Sequence, residues 1–197
     1  MTGSVVRRLE TERLLLREFL DRDREPFAAL NADGRVMEHF PHVLTREESD
    51  ALVDRIGQHW AEDGVGQWAV ERREDASFLG FVGLAAPSFK SDFTPCVEVG
   101  WRLAVEAWGH GYATEAARAA LAFGFESRGL DEILSWTVPA NVRSRAVMER
   151  IGMTRDPADD FDHPNIAVGS PLRRHVLYRL SRDRWLAARE LDVSTSP

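Results

Sequence analysis

Strand-like and helix-like segments alternate along the chain without an internal repeat, which predicts an α/β domain. Three observations carry that expectation. A Gly-x-Gly turn separates an apolar strand-like run from a long small-residue helical pattern, a capping box opens a second helix at Thr45, and two apolar runs flank the charged turn Arg72 to Asp75. In chain order, Arg13 to Phe19 reads as a strand, and Asp21 to Asp33 as a helix with an acidic first turn. Thr45 and Glu48 start a helix whose Leu52, Ile56 and Trp60 share one face, and Gly64 and Gly66 end it. Gln67 to Glu71, Phe78 to Leu84 and Val97 to Leu103 read as strands. Trp108 to Glu126 then carries Ala113, Ala116, Ala117, Ala120, Leu121 and Gly124 on one helical face, small enough for close packing on a sheet. Ile133 to Val138 predicts a strand, Asn141 to Ile151 a helix with Gly152 as its C-cap, Asp156 to Pro171 a long polar loop, and His175 to Leu180 the strand that closes the sheet.

The 197 residues, 44% hydrophobic and 29% charged, are sized for a single domain over residues 1–197 with a polar tail from Ser194 to Pro197. No run reaches the roughly 18 apolar residues of a membrane span, and acidic residues interrupt the start before any signal-peptide core, so a cytoplasmic protein is expected. The single cysteine, Cys96, excludes an internal disulfide framework and a thiolate-rich zinc site. A formal charge of -7 argues against nucleic acid and anionic membrane as partners and favours a neutral or cationic small one. His39 and His42 flank Pro41 without a third ligand at metal spacing, so no metal is expected.

The stretch Val97 to Ala116 is the most informative. A strand enters a Gly-x-Gly turn that opens a helix, whose unpaired N–H groups carry partial positive charge and suit a pyrophosphate. A tight turn without a ligand is the plain alternative. Thr114 stands where a Rossmann fingerprint needs its third glycine, and no Gly-Lys-Ser or Gly-Lys-Thr is present, so neither dinucleotide nor triphosphate chemistry has residue support.

Trp108-Gly109-His110-Gly111-Tyr112-Ala113-Thr114-Glu115-Ala116 resembles the acetyl-CoA-binding motif of the GNAT N-acetyltransferase superfamily, in the form of its ribosomal-protein N-terminal acetyltransferase (RimJ/RimL-like) branch. Trp136 to Met153, Glu10 to Arg17 and the run Gly80-Phe81-Val82-Gly83 are similar to the same branch, so the likeness covers about residues 9–185. The resemblance implies a central mixed, mostly antiparallel twisted sheet, splayed at the cofactor strand and flanked by helices on both faces. It also implies acetyl-CoA as co-substrate, with the pantetheine along Leu103, Ala104 and Val105 and the pyrophosphate over Trp108, Gly109, His110, Gly111, Tyr112, Ala113 and Thr114. Two departures stand out. Trp108 occupies a position where many members have Arg or Gln, and no tyrosine lies between Tyr112 and Tyr178, where many members carry their acid.

Acetyl transfer to an amine needs a base, a stabilised oxyanion and a proton for the leaving thiolate. Asn141 reads as a helix N-cap worth about 1 kcal/mol, and the resemblance adds a pantetheine contact. Ser144 shares a face with Val147, Met148 and Ile151, so it is either a buried serine bonded to a helix carbonyl or, by resemblance, the donor to the leaving sulfur. Glu98 shares a strand face with Gly100 and Arg102; it is either paired with that arginine or, by resemblance, the base. Arg150 is a surface arginine or a phosphate contact. The turn holding His39 and His42 lines the acceptor site in the family, and the loop with Asp156, Asp159, Asp160, Asp162 and His163 is a solvated face or an attractor for a cationic amine. The chain therefore reads as an acetyl-CoA-dependent N-acetyltransferase acting on a small amine or a protein N-terminus, as a monomer or homodimer. The alternative is a catalytically silent acyl-CoA-binding sensor or interaction module.

Overall fold

A computed structural model of the chain describes residues 8–62 and 64–194. The start of the chain, on which the absence of a signal segment was read, and the polar tail beyond Ser194 lie outside them. The fold is mixed α/β, an open sheet with flanking helices, and it contains two compact units. One comprises Met1–Ala85 with Val99–Ala120, the other Ala86–Glu98 with Leu121–Pro197.

In the first unit, β1 (Leu9–Glu10), β2 (Leu14–Arg17), β3 (Gln67–Arg72) and β4 (Phe78–Ala85) form an antiparallel ladder, and the greater part of β5 (Glu98–Leu103) follows β4 in strand order. The interior residues of β3 and β4 are buried on both faces, which explains why their sequences run nearly continuously apolar instead of alternating. Helices α1 (Arg24–Ala32) and α2 (Arg46–Glu62) bring Phe27, Leu30 and Val53 into a core with Phe81 of β4, where Phe27 meets Phe19 edge-on at 5.2 Å. The expected capping box is formed: the Thr45 hydroxyl accepts from the Glu48 N–H at 3.2 Å, and the Glu48 carboxylate accepts from the Thr45 N–H at 2.8 Å.

Helix α3 (Tyr112–Ala122) begins later than Trp108 because Gly109 and Gly111 hold left-handed φ angles of 78° and 80°, outside helical space. Its small face is buried as expected, with Ala116, Ala117 and Ala120 fully covered. Beyond Ala122 the ladder widens into a π turn over Phe123–Ser127.

In the second unit, β6 (Glu132–Thr137) pairs in parallel with β5 through Glu98 and Leu134. It pairs antiparallel with β9 (Arg174–Ser181) along its whole length. Helix α4 (Val142–Arg150) ends in a Schellman motif, with Gly152 N–H on the Glu149 carbonyl and Met153 N–H on that of Met148. β9 does not close the sheet: β7 (Thr154–Arg155) lies outside it, and β8 (Phe161–Asp162) also pairs with it. The expected polar loop therefore contains a short strand and a 3-10 turn at Pro157–Asp159. A final helix, α5 (Arg182–Ser194), escaped the sequence reading because its charges obscure a narrow apolar face, on which Trp185 meets Phe125 at 5.1 Å. Among the described residues no helix is long and apolar enough to cross a membrane.

Gly80 has φ 130°, and a Cβ there would stand 2.1 Å from the Arg102 carbonyl oxygen. Gly57 lies inside α2 with nothing within 4 Å of such a Cβ. Gly80→Ala is expected to lower the unfolding free energy by about 2 kcal/mol or more, and Gly57→Ala to raise it by about 0.5–1 kcal/mol, both read from urea midpoints.

Candidate functional site

The turn that opens α3 is built from the end of β5. Its 3-10 segment Val105–Ala107 leads into Trp108 to Gly111, and the left-handed glycines bring the chain to the helix in four residues. Gly109 and Gly111 are exposed, and a Cβ on Gly109 would meet nothing within 4 Å, so the space over the turn is open to a ligand. The amides at the start of α3 are the donors such a cradle needs. Trp108 adds no charge. Its indole N–H donates to the Leu103 carbonyl at 2.9 Å, and the Ala104 N–H donates to the Leu79 carbonyl at 2.9 Å, so these groups fix the turn to the strands.

A second brace was not read from the sequence. The Glu115 carboxylate accepts from the Thr11 hydroxyl at 2.6 Å, the Arg13 backbone N–H at 2.9 Å and the Arg13 Nε at 2.7 Å. Arg13 also donates through Nη1 to the His110 carbonyl at 3.0 Å and lies over the Tyr112 ring at 4.8 Å. Burial raises the pKa of Glu115, but these hydrogen bonds outweigh it and hold the carboxyl below its usual value. The available signal was the joint presence of Glu10-Thr11-Glu12-Arg13 and Glu115; their pairing across the chain has no local trace.

In the second unit, Asn141 is the expected N-cap of α4: its Oδ1 accepts from the Ser144 N–H at 3.1 Å. Its amide nitrogen donates to the Thr137 hydroxyl at 3.0 Å. Ser144 is half-buried, not buried, because the apolar face of α4 narrows toward its start, where only Met148 and, beyond the helix end, Ile151 are fully covered. Its Oγ has no hydrogen-bond partner among the described residues. Arg150 is exposed in the last turn. The buried Tyr178 phenol donates to Glu149 at 2.9 Å.

Glu98 is half-buried, and its carboxyl makes no ion pair or hydrogen bond among the described residues. Burial pushes it up to about 8, into the range of a base working near neutral pH. The expected alternative, pairing with Arg102, is not formed: Arg102 donates to the Asn31 Oδ1 at 2.5 Å. Burial, followed by the charge of Glu98, raises Cys96 to about 11, which leaves it a poor nucleophile.

The acidic loop differs from expectation. Asp156 caps the Ala158 N–H at 2.9 Å, Asp159 pairs with Arg179 at 2.7 Å, Asp160 pairs with Arg155, and Asp162 lies 3.3 Å from Arg173 and 3.4 Å from Arg174. These carboxylates have local partners and leave little field to draw a distant cation. His163 packs on Phe89 at 4.6 Å and His175 at 5.1 Å; burial, then the charges of His175 and Arg173, lower its pKa. His42 faces Glu48 at 3.4 Å and His39 faces Glu38 at 3.9 Å. Among the described residues no group of three or more His, Cys, Asp or Glu is arranged to hold a metal ion.

A mixed α/β open sheet with flanking helices, in which a glycine turn opens a helix, is the architecture of an acetyltransferase. The family model described as Acetyltransferase (GNAT) domain matches residues 13–154, and the chain belongs to that family. It is 31% identical over 178 residues to the uncharacterized N-acetyltransferase YnaD of Bacillus subtilis, covering 90% of this chain and 98% of the relative. It is 34% identical over 202 residues to the FsC-acetyl coenzyme A-N(2)-transacetylase of Aspergillus fumigatus, covering 95% and 82%. The crystal structure of a GNAT-family acetyltransferase from Bacillus anthracis superposes with a TM-score of 0.74 at 27% identity, covering 89% of this chain and 99% of that one.

The raised Glu98 carboxyl sets a pH dependence of stability. Between the unfolded carboxyl pKa of about 4.3 and the folded value of about 8, the folded state holds the extra proton, so this group's contribution falls as pH rises through that window and is constant above it. Glu98→Gln removes the dependence. Its melting temperature relative to the parent is expected to climb from pH 5 to pH 8 and then level; a flat difference across that range would contradict the assignment.

Proposed function

We propose that the protein moves an acetyl group from acetyl-CoA directly to a primary amine. The observation that carries this reading is the Gly109 to Gly111 turn, open above and braced beneath, at the start of α3. In this reading the amides from Gly109 to Thr114 hold the pyrophosphate, while the strand end at Leu103, Ala104 and Val105 lies along the pantetheine. Asn141 turns its cap toward the pantetheine amide, and Arg150 contacts the nucleotide end.

Glu98 takes a proton from the acceptor. With a pKa of about 8 it matches an α-amine at about 7.7–8.0 far better than a lysine at about 10.4, so base and nucleophile become competent over the same pH range. The neutral amine attacks the thioester carbon, the new C–N bond forms, and the C–S bond breaks. The tetrahedral adduct carries a surplus proton on nitrogen, and Ser144, whose hydroxyl has no hydrogen-bond partner among the described residues, passes its own proton to the departing sulfur as it takes that surplus proton, so the serine ends neutral and the products are the amide and the thiol, of pKa about 8.5. This assigns to Ser144 the task that many members of the family give to a tyrosine. The motif Trp108 to Ala116 supports placement in the RimJ/RimL-like branch, as a single cytoplasmic domain, monomeric or homodimeric, whose acceptor is a small amine or a protein N-terminus.

Three measurements test the reading. Thr114→Glu puts a like charge beside the pyrophosphate at a helix position that tolerates an acid, so acetyl-CoA affinity should fall about tenfold or more with the melting temperature preserved. Amine-dependent thiol release should rise with pH and level above about 8, and Glu98→Gln should lower kcat by about 10²–10⁴-fold, leaving only the acceptor's own titration in the pH profile. Ser144→Ala should lower kcat by about 10–1000-fold with little change in acetyl-CoA affinity. Tight acetyl-CoA binding without thiol release from any amine would favour the silent sensor.

A further inference from the structure

Arg102 is a charged group without a counter-charge. Its Nη1 donates to the Asn31 Oδ1 at 2.5 Å, its Nε is sealed from solvent with no hydrogen-bond partner, and its Nη2 makes no hydrogen bond among the described residues. Its guanidinium lies over the Phe40 ring at 4.3 Å and within 5.5 Å of the Phe81 ring. Burial lowers it to about 10, still charged at neutral pH. Arg102 is half-buried; a partly desolvated cation without a counter-charge is costly, and its sealed orphan Nε adds to the cost, so the arrangement calls for an explanation in ligand binding.

The surroundings hold the guanidinium still. The fully buried Asn31 at the end of α1 donates its amide to the buried Ser49 hydroxyl at 2.9 Å, and its carbonyl accepts from the Leu44 N–H at 2.9 Å. Its Oδ1 is thereby aimed at Arg102. Nη1 is fixed by Asn31, aromatic rings lie against the guanidinium, Nε is sealed, and Nη2 is left without a partner among the described residues. That terminal donor suits a carboxylate oxygen in a charge-assisted hydrogen bond. Phe40 is 37% exposed, in the turn between α1 and α2, and it separates the guanidinium from solvent on that side.

We propose that the Nη2 amino group of Arg102 binds a carboxylate carried by the acetyl acceptor, making the preferred substrate an amine that is also a carboxylic acid. The inference rests on the transferase reading for the acceptor's role, and it replaces the purely cationic acceptor that the net charge suggested. It commits to the acceptor because Asn31, Ser49 and Phe40 belong to α1, α2 and their connecting turn, whereas the cofactor's phosphates have their own donors at α3.

Matched pairs of probes test it: 3-aminopropanoate against propylamine, 4-aminobutanoate against butylamine, and 6-aminohexanoate against hexylamine. For at least one pair the parent protein should show a kcat/KM about 10–100-fold higher for the amino acid, the range expected of a charge-assisted hydrogen-bonded pair. Arg102→Gln should erase the preference through KM, and Arg102→Lys should retain part of it. Arg102→Gln also removes the donor to the buried Asn31 Oδ1 and is expected to cost some stability, so the melting temperature and acetyl-CoA affinity of each variant are measured alongside. Turnover of the plain amines without a preference, or a preference that survives in Arg102→Gln, overturns the proposal. Calorimetric titration of the same amino acids into the parent and Arg102→Gln decides the matter independently of catalysis. Arg102-dependent binding without thiol release would keep the carboxylate site and reject the transferase, whereas no Arg102-dependent binding of any probe would reject the site whatever the activity.

Discussion

The carboxylate of Glu115 is the point on which the geometry of the glycine turn depends. It sits in the first turn of α3, where a negative charge suits the unpaired amides of the helix start, and it accepts from the Thr11 hydroxyl and from both the backbone and the side chain of Arg13. Through Arg13 the same group reaches the His110 carbonyl inside the turn. The left-handed backbone of Gly109 and Gly111 costs conformational entropy on folding, and a turn so built would otherwise sample many shapes. The brace restricts it to one, so the amides stand in place before any ligand arrives. Preorganisation of this kind, more than added positive charge, is what the neutral Trp108 leaves the turn to rely on.

The molecule treats its ionic groups in two distinct ways. Arg17 grips the nearly inaccessible Asp23 with two bonds of 2.6 and 2.9 Å and reaches Glu71 at 2.8 Å, and Arg22 adds a further contact to Glu71. In the acidic segment after β7, Asp159, Asp160 and Asp162 are each answered by an arginine. Against this background Glu98 and Arg102 stand apart, each desolvated and each without an opposite charge in its own unit. Structural ion pairs lower the cost of burial by mutual compensation; in the proposed reading Glu98 and Arg102 forgo it because a group that exchanges a proton or meets a ligand cannot be compensated in advance.

Much of the fold was legible because its signals are local. The capping box at Thr45, the small face of α3, the cap at Asn141 and the Schellman ending at Gly152 each need only a few neighbouring residues, and all are present. The later start of α3 was misread because the periodic pattern continues through Trp108 to Gly111 while the glycines set the backbone apart from it. The segment from Asp156 to Pro171 was read by composition, and composition does not reveal that Asp159, Asp160 and Asp162 each pair with an arginine while Asp156 caps a backbone N–H. For the candidate site, residue identities were readable but their states were not. That Glu98 is unpaired while Arg102 is held by Asn31 depends on contacts between distant segments, which no spacing in the sequence encodes.

The π turn that follows α3 has a consequence for how the chain tolerates change in length. Its Arg128 N–H reaches back to the Phe123 carbonyl at 3.1 Å, closing a loop one residue wider than an α turn and placing Phe125 against Trp185 of α5. The surplus residue is absorbed there, after Ala116, Ala117 and Ala120 have made their buried contacts. Loss of one residue between Phe123 and Ser127 would wind the segment back toward an ordinary helix and rotate Phe125 away from α5, while the alanine rows and the glycine turn upstream kept their register. The downstream end of the helix thus works as an expansion joint, where the lineage could add or remove a residue without disturbing the glycine turn at the other end.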